Sequence, residues 1–331
     1  MIEKNNVQLR GFNTLKLSAL AKKYYEVKDE EELKLIFSDK ISALDEFRIL
    51  GGGSNLWLSS EIIANVIKMN NLGMQVTKTE DRTFVRVKAG EEWSKLVEFL
   101  VKNGIGGLEN LIDIPGSVGA APVQNIGAYG TEVGYFIREV KAFDIKSKKI
   151  VSIAHDKCNF SYRDSLFKKD RNLIIVEVFF EFNNNYKPEV KNKEILSELG
   201  SRDVNIENIL LSVRSIRERK IPNIKRFPNS GSFFKNPIVN ESLLKNIRYV
   251  NEDVVCYKVD RGYKLSAAWL IEKSGWKGNL IDGIGMSPMH SLIFINTSKS
   301  INVSIDDYIN NLKLDVYRKF KVELEVEPVR W

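Results

Sequence analysis

Three kinds of residue in this chain carry usable chemistry. The first is a hydroxyl in a dense turn, Pro228-Asn-Ser-Gly-Ser-Phe-Phe-Lys-Asn-Pro. With only His155 and His290 in the chain and no GxSxG elbow, Ser232 is a poor candidate nucleophile, but it could donate a proton. The second is a guanidinium, Arg163, set between Tyr162 and Asp164 in Phe160-Ser-Tyr-Arg-Asp-Ser; it suits an anion or a surface ion pair. The third is a carboxylate series, Glu323, Glu325 and Glu327, which alternation in Val322-Glu-Leu-Glu-Val-Glu puts on one face of a strand.

Two further stretches could hold a ligand through their backbone. Gly51-Gly-Gly-Ser-Asn follows the strand-like Phe47-Arg-Ile-Leu, where exposed N–H groups can cradle phosphate oxygens. It is neither a dinucleotide fingerprint, since Leu56 stands where the third glycine belongs, nor a Walker A loop. The run from Ile114 to Thr131 has no charged residue and is rich in Gly and Ala. Its glycines and prolines exclude a membrane span, because such backbone could not satisfy its polar groups in lipid. A solvent loop should be polar and short, so the run reads as a cofactor cradle.

The elements that position these groups are mixed. Asp29-Glu-Glu-Glu opens a short helix; Trp93, Leu96, Val97, Leu100 and Val101 mark another that Gly104 ends. Thr83–Lys88 and two strands over 140–153 read as β, and Leu173 to Phe182 reads as a buried strand. The polar segment Asn183–Pro188 is a candidate boundary or mobile loop. Further helices are expected from Ile206 to Pro222, from Leu265 to Gly275, and from a Ser304/Asp307 capping box to Phe320.

Composition bounds the rest. The 331 residues suggest two domains or three small ones, and 43% hydrophobic with 28% charged is ordinary for a globular protein. Two cysteines without a CxxC pair and two histidines offer no metal centre, and the cysteine usage suits a reducing cytoplasm. The N-terminus is charged and has no apolar stretch of a signal peptide. The net charge of +7 concentrates partly in Arg214–Arg226, where Arg214, Arg217 and Lys220 share a helix face that could meet a diphosphate. Without aromatic interleaving this run does not suit nucleic acid.

Taken in order, these segments resemble the UDP-N-acetylenolpyruvoylglucosamine reductase (UDP-N-acetylmuramate dehydrogenase) family. The anchors are Asn13-Thr14, Leu50 to Asn55, Gly107-Leu-Glu-Asn110, Ile114 to Gly130, Tyr162-Arg-Asp-Ser165, Gly231 to Pro237, and Ala268 to Ile271 with Gly275.

The resemblance implies an α+β protein. A two-subdomain FAD-binding unit of the vanillyl-alcohol-oxidase (PCMH) type would span residues 1–70 and 71–200. An α+β substrate-binding domain would follow over 201–320, with 321–331 returning to the active site as a strand. It implies an NADPH-dependent flavoprotein oxidoreductase of peptidoglycan synthesis and cell-wall biogenesis, linked to cell shape and division, cytoplasmic and monomeric. No nucleic acid, metal or membrane insertion is implied. Reduced FAD would deliver hydride from N5 to C3 of the enolpyruvyl UDP-sugar, and Ser232 would protonate C2. Arg163 would stabilise the enolate, with Glu327 as the third catalytic member and Glu325 as the alternative.

Gly51, Gly52, Gly53, Ser54 and Asn55 would hold the FAD pyrophosphate. Pro115, Gly116, Gly119, Ala120, Ala121, Asn125, Gly127 and Tyr129 would line the rest of the cofactor. Tyr162, Lys220, Asn236 and His290 would bind substrate. Neither glycine-rich segment holds His or Cys, so FAD would be non-covalent. One subgroup closes a loop tyrosine over its substrate; here Asn192 aligns there and Tyr186 is the nearest tyrosine. The alternative function is a related FAD-dependent alcohol or sugar oxidase.

Overall fold

The structure is a computed structural model, and it describes residues 1–42, 45–59, 61–298 and 304–331. The chain divides into two compact units. One comprises Met1–Gln8, Leu20–Gly53 and Ile62–Arg217; the other comprises Leu9–Ala19, Ser54–Glu61 and Glu218–Trp331.

The first unit contains two larger sheets. A four-stranded sheet runs in the order Ile2–Gln8, Leu20–Val27, Ile62–Met69, Phe47–Leu50. Its last three strands are parallel. The helix Glu30–Leu35 starts where expected: Asp29 accepts the Glu32 N–H and three acids occupy the first turn, favourable at the positive end of the helix dipole. A five-stranded antiparallel sheet runs Lys149–Ala154, Ile137–Asp144, Leu173–Asn183, Arg82–Lys88, Met74–Lys78.

Its central strand explains its apolar sequence by serving two cores. Ile174 and Val176 join Tyr25, Leu33 and Ile67, while Val178, Phe180 and Phe182 join Trp93, Leu96 and Leu100. Each such buried side chain contributes roughly 1.5–3 kcal/mol. The helix Trp93–Lys102 ends before Gly104, whose φ of 73° needs no Cβ.

The second unit holds a four-stranded sheet in the order Asn229–Ser232, Ile293–Asn296, Ile284–Met286, Leu280–Ile281. Its three-stranded sheet runs Ile238–Val239, Gly262–Leu265, Cys256–Val259. The helix Ile305–Phe320 is capped by Ser304, which accepts the Asp307 N–H. Its face Tyr308, Ile309, Leu312, Val316 packs with Phe233, Phe294 and Leu270.

Several local readings change. Leu265 ends a strand, and Ser266 caps a helix that begins only at Ala267. The alternating Val322–Glu327 segment is not a regular strand. It makes one bridge, Val326 to Phe234, and only Val329–Arg330 pair, in parallel with Leu56–Trp57. Residues 183–188 lie inside the first unit, where the Asn184 amide donates to the carbonyls of Thr79 and Glu80. The division between units falls at Arg217, within the helix Ile206–Lys220.

Candidate functional site

The glycine turn follows the C-terminal end of the parallel strand Phe47–Leu50, a common place for a ligand in sheets of this kind. A Cβ on Gly51 would lie 2.7 Å from Ser117 Oγ, and one on Gly52 would lie 2.7 Å from Gly116 Cα. The turn and the small-residue run therefore touch backbone to backbone, which only glycine permits. The run is stitched down in turn: Val118 and Gly119 donate their N–H groups to the carbonyls of Glu91 and Ala89 at 2.8 and 2.9 Å. Gly119 could not carry a Cβ, which would approach Ala89 Cβ to 2.5 Å. Gly52, Pro115 and Ala120 stay exposed, while Gly53, Ser54 and Ala121 are buried and Asn55 and Gly116 half-buried. Beneath the turn, the Lys68 ammonium donates to the Gly51 carbonyl, and burial lowers its pKa.

At the far end of the run stands Arg163. Ser161 and Asp164 exchange two backbone hydrogen bonds of 3.1 Å and pinch Tyr162-Arg163 into a tight turn, with Arg163 at φ 55°. A non-glycine residue in the left-handed region costs energy and is held there by its surroundings. Arg163 Nη2 donates to the Gly127 carbonyl at 2.6 Å, and the guanidinium lies 5.3 Å from the centre of the Tyr162 ring. The candidate catalytic arginine and the candidate cofactor residue Gly127 are thus brought together. Asn125 serves the same turn. It is 1% exposed; its amide donates to Glu132 and to the Ser161 carbonyl, and its Oδ1 accepts the Gly134 N–H. Its side chain is used up inside the protein, so it braces the Arg163 turn. Tyr129, half-buried at φ 51°, ends the run.

The basic helix face separates into unlike members. Arg214 is held by Asp113 at 2.8 and 3.2 Å and by Glu98 at 2.5 Å, which raises its pKa. Its charge is met by these two acids. Arg217 donates to the Asp113 carbonyl at 3.0 Å, but its Nε is buried with no partner, and burial lowers its pKa. A buried cation with an unused donor is costly and fits an anion-holding role. Local sequence does not separate Arg217 from Arg214, because the distinguishing acids Asp113 and Glu98 lie far away in the chain. Lys220 is exposed at the helix end.

The two residues considered for a substrate lid both make contacts within the first unit. Asn192 caps the helix Lys193–Leu199, accepting the N–H groups of Glu194 and Ile195. Tyr186 packs its ring on Gly106 and donates its hydroxyl to the buried Glu109 at 2.7 Å.

In the second unit, Ser232 ends the strand Asn229–Ser232. Asn229 pairs with Ile295 and Ser232 with Ile293, three steps against two, so a β-bulge falls at Ser230-Gly231, where Gly231 takes φ 70°. Bulges commonly re-aim a side chain at a functional site; here Ser232 becomes exposed after two buried residues. The Glu327 N–H donates to the Phe233 carbonyl at 3.0 Å, one residue from Ser232. Glu325, exposed, is ion-paired to Lys235. Asn236 Oδ1 accepts the Ala267 N–H at 2.9 Å. His290 Nδ1 accepts the Leu292 N–H at 3.1 Å, which puts the proton of the neutral ring on Nε2.

Among the described residues, no group of three or more His, Cys, Asp or Glu could hold a metal ion, and no helix is long and apolar enough to cross a membrane. The glycine contacts and the orphaned Arg217 donor fit a flat, anionic cofactor.

The comparisons give that cofactor a class. Residues 21–152 match an FAD binding domain, so with its α+β architecture the chain is a flavoprotein oxidoreductase. Residues 222–331 match the C-terminal domain of UDP-N-acetylenolpyruvoylglucosamine reductase. The reductase of that name from Bdellovibrio bacteriovorus is 36% identical over 99% of both chains, and that of Pseudomonas putida is 34% identical over 97% of both. The crystal structure of the Thermus caldophilus reductase shares the fold, with a TM-score of 0.67 at 22% identity and full coverage of both chains. The chain belongs to the UDP-N-acetylenolpyruvoylglucosamine reductase family, and its cofactor is FAD.

Proposed function

We propose that this protein reduces UDP-N-acetylenolpyruvoylglucosamine to UDP-N-acetylmuramate with NADPH as reductant. The observation that carries this reading is Arg163, a guanidinium strained into a left-handed turn and tied to Gly127 at the end of the cofactor run. Gly51 to Asn55 would hold FAD, which when bound would supply the hydride-transfer chemistry between NADPH and C3 of the enolpyruvyl group.

The protein's own part is charge and proton management. Addition at C3 drives negative charge onto the substrate carboxylate, which a planar guanidinium such as Arg163 stabilises. The resulting carbanion at C2 takes a proton, and Ser232 is the donor. Serine is a feeble acid and needs assistance. Glu327 is taken as its partner because its backbone N–H bonds the Phe233 carbonyl, next to Ser232.

Gly51 to Asn55 hold the FAD pyrophosphate through backbone N–H groups, with Arg217 as an added anion contact. Pro115, Gly116, Gly119, Ala120, Ala121 and Tyr129 line the rest. Asn125 contributes through its backbone. Tyr162, Lys220, Asn236 and His290 grip the UDP-sugar. The protein works in the cytoplasm as a monomer. Residues 1–70 and 71–200 supply most of the FAD-binding subdomains, with the helix up to Arg217 joining them, and the remainder of 201–320 with 321–331 serves the substrate.

The test is spectroscopic. Purified protein should be yellow, bleach with NADPH, and recover its colour when the enolpyruvyl UDP-sugar is added. Ser232→Ala should leave bleaching nearly unchanged and slow the recovery by about 10²- to 10⁴-fold, the usual worth of a positioned acid. Colour recovery driven by oxygen without the UDP-sugar would instead mark an oxidase.

A further inference from the structure

Asn229 stands out in the second unit: it is an amide only 1% exposed at the start of the strand that ends in Ser232. It uses both of its donors and its acceptor. Nδ2 donates to the carbonyls of Pro222 and Phe227, each at 2.8 Å, and Oδ1 accepts the Gly231 N–H at 3.0 Å. All three partners are backbone groups of one stretch, from just after Lys220 to just before Ser232. Holding a strand to its sheet does not require this, since a valine would fill the space without burying an amide. The amide instead gathers the loop: it closes the bulge at Gly231 and pins both limbs that follow Lys220.

We propose that Asn229 is a positioning residue that fixes the Ser232 hydroxyl and the Lys220 end of the loop in one frame, so that grip on the substrate diphosphate and protonation at C2 stay in register. This rests on the reading of Ser232 as proton donor and Lys220 as diphosphate contact. A displacement of about 1 Å at a reacting group can cost roughly 100-fold, and a bulge without its amide tether can move that far.

Asn229→Ser shortens the side chain, and Asn229→Asp keeps the acceptor but loses both donors. In whichever variant retains flavin and a cooperative melting transition, bleaching by NADPH should stay within about twofold. Colour recovery by the enolpyruvyl UDP-sugar should fall roughly 100-fold. The dissociation constant for UDP-N-acetylmuramate, titrated through the flavin spectrum, should rise about tenfold, as expected for weakening one charged contact.

In a Ser232→Ala background the same change should add less than about twofold to the slowed recovery, because residues acting as a unit are non-additive. Equal losses in both half-reactions, or losses that multiply in the double variant, would overturn the proposal. So would a Gly231 amide in the unaltered protein that exchanges hydrogen at an unprotected rate, a measurement that needs no variant. If Ser232→Ala alone left recovery intact, the proton-donor reading would fail, while the product-affinity change at Asn229 would still report on the loop.

Discussion

Gly51 and Gly52 meet the Ser117 side chain and the Gly116 backbone through missing side chains, with no room for even a methyl at Gly52. The Ser232 turn is held the other way, by one side chain, Asn229, that ties three backbone groups. The first site is specified by what is absent and the second by what is present. Their failures should differ accordingly. The cradle breaks when an atom is added and then loses cofactor; the serine turn breaks when an atom is removed and then loses rate while keeping cofactor.

The sharpest use of this contrast is at the C-terminal carboxylates. Glu327→Gln conserves shape and removes only charge and acidity. It should slow flavin reoxidation by substrate by about 10²- to 10³-fold, the cost of losing one positioned electrostatic group. Stopped-flow absorbance reads this directly. Glu325→Gln keeps an oxygen beside Lys235, whose side chain is 13% exposed, and should stay within about fivefold, the worth of an ion pair of about 1 kcal/mol. If Glu325 carried the larger effect, the assignment of the pair would be reversed.

At the cradle, Gly52→Ala pushes a methyl against Gly116 Cα. Overpacking of this kind costs about 1–3 kcal/mol, so FAD affinity should fall about 10- to 100-fold in a fluorescence titration. Gly11→Ala is the control: nothing lies within 4 Å of its Cβ, and affinity should not move. Equal losses at both positions would mean that general destabilisation, not the cradle, sets affinity.

The two sites were not equally legible. A run without charge and full of small residues can be read directly, because absence is a local property of sequence. Which of two arginines on one helix face keeps an unused donor is decided by Asp113 and Glu98, about a hundred residues away. The pairing of Glu325 with Lys235 is likewise made across a bridge, about ninety residues away in the chain. The left-handed Arg163 turn has no glycine to announce it; Asn125, two segments earlier, enforces it. Among the elements, Leu173–Asn183 was plain from its apolar run, whereas Ile2–Gln8 was not, since nearly every residue in it is exposed. Leu20–Val27 hid for a similar reason, with Lys22 and Lys23 interrupting its apolar pattern.

The smallest effect probes where the contrast itself ends, because the cradle rests on a side chain one step back. Tyr186 covers Gly106, and its hydroxyl binds Glu109, a carboxylate 2% exposed whose other oxygen accepts the Gly107 N–H at 2.5 Å. Burial and the neighbouring Glu109 raise the Tyr186 pKa, so it stays a protonated donor at neutral pH. Tyr186→Phe strips one hydrogen bond from a buried carboxylate at a cost of about 1–3 kcal/mol. For a chain of this size that should lower the melting temperature by about 1–4 °C. FAD affinity should move by less than the Gly52→Ala variant moves it, because no atom enters the cradle. A fall in affinity as large as that of Gly52→Ala would show that the cradle too depends on a tethering side chain, and the division between sites built by absence and sites built by presence would not hold.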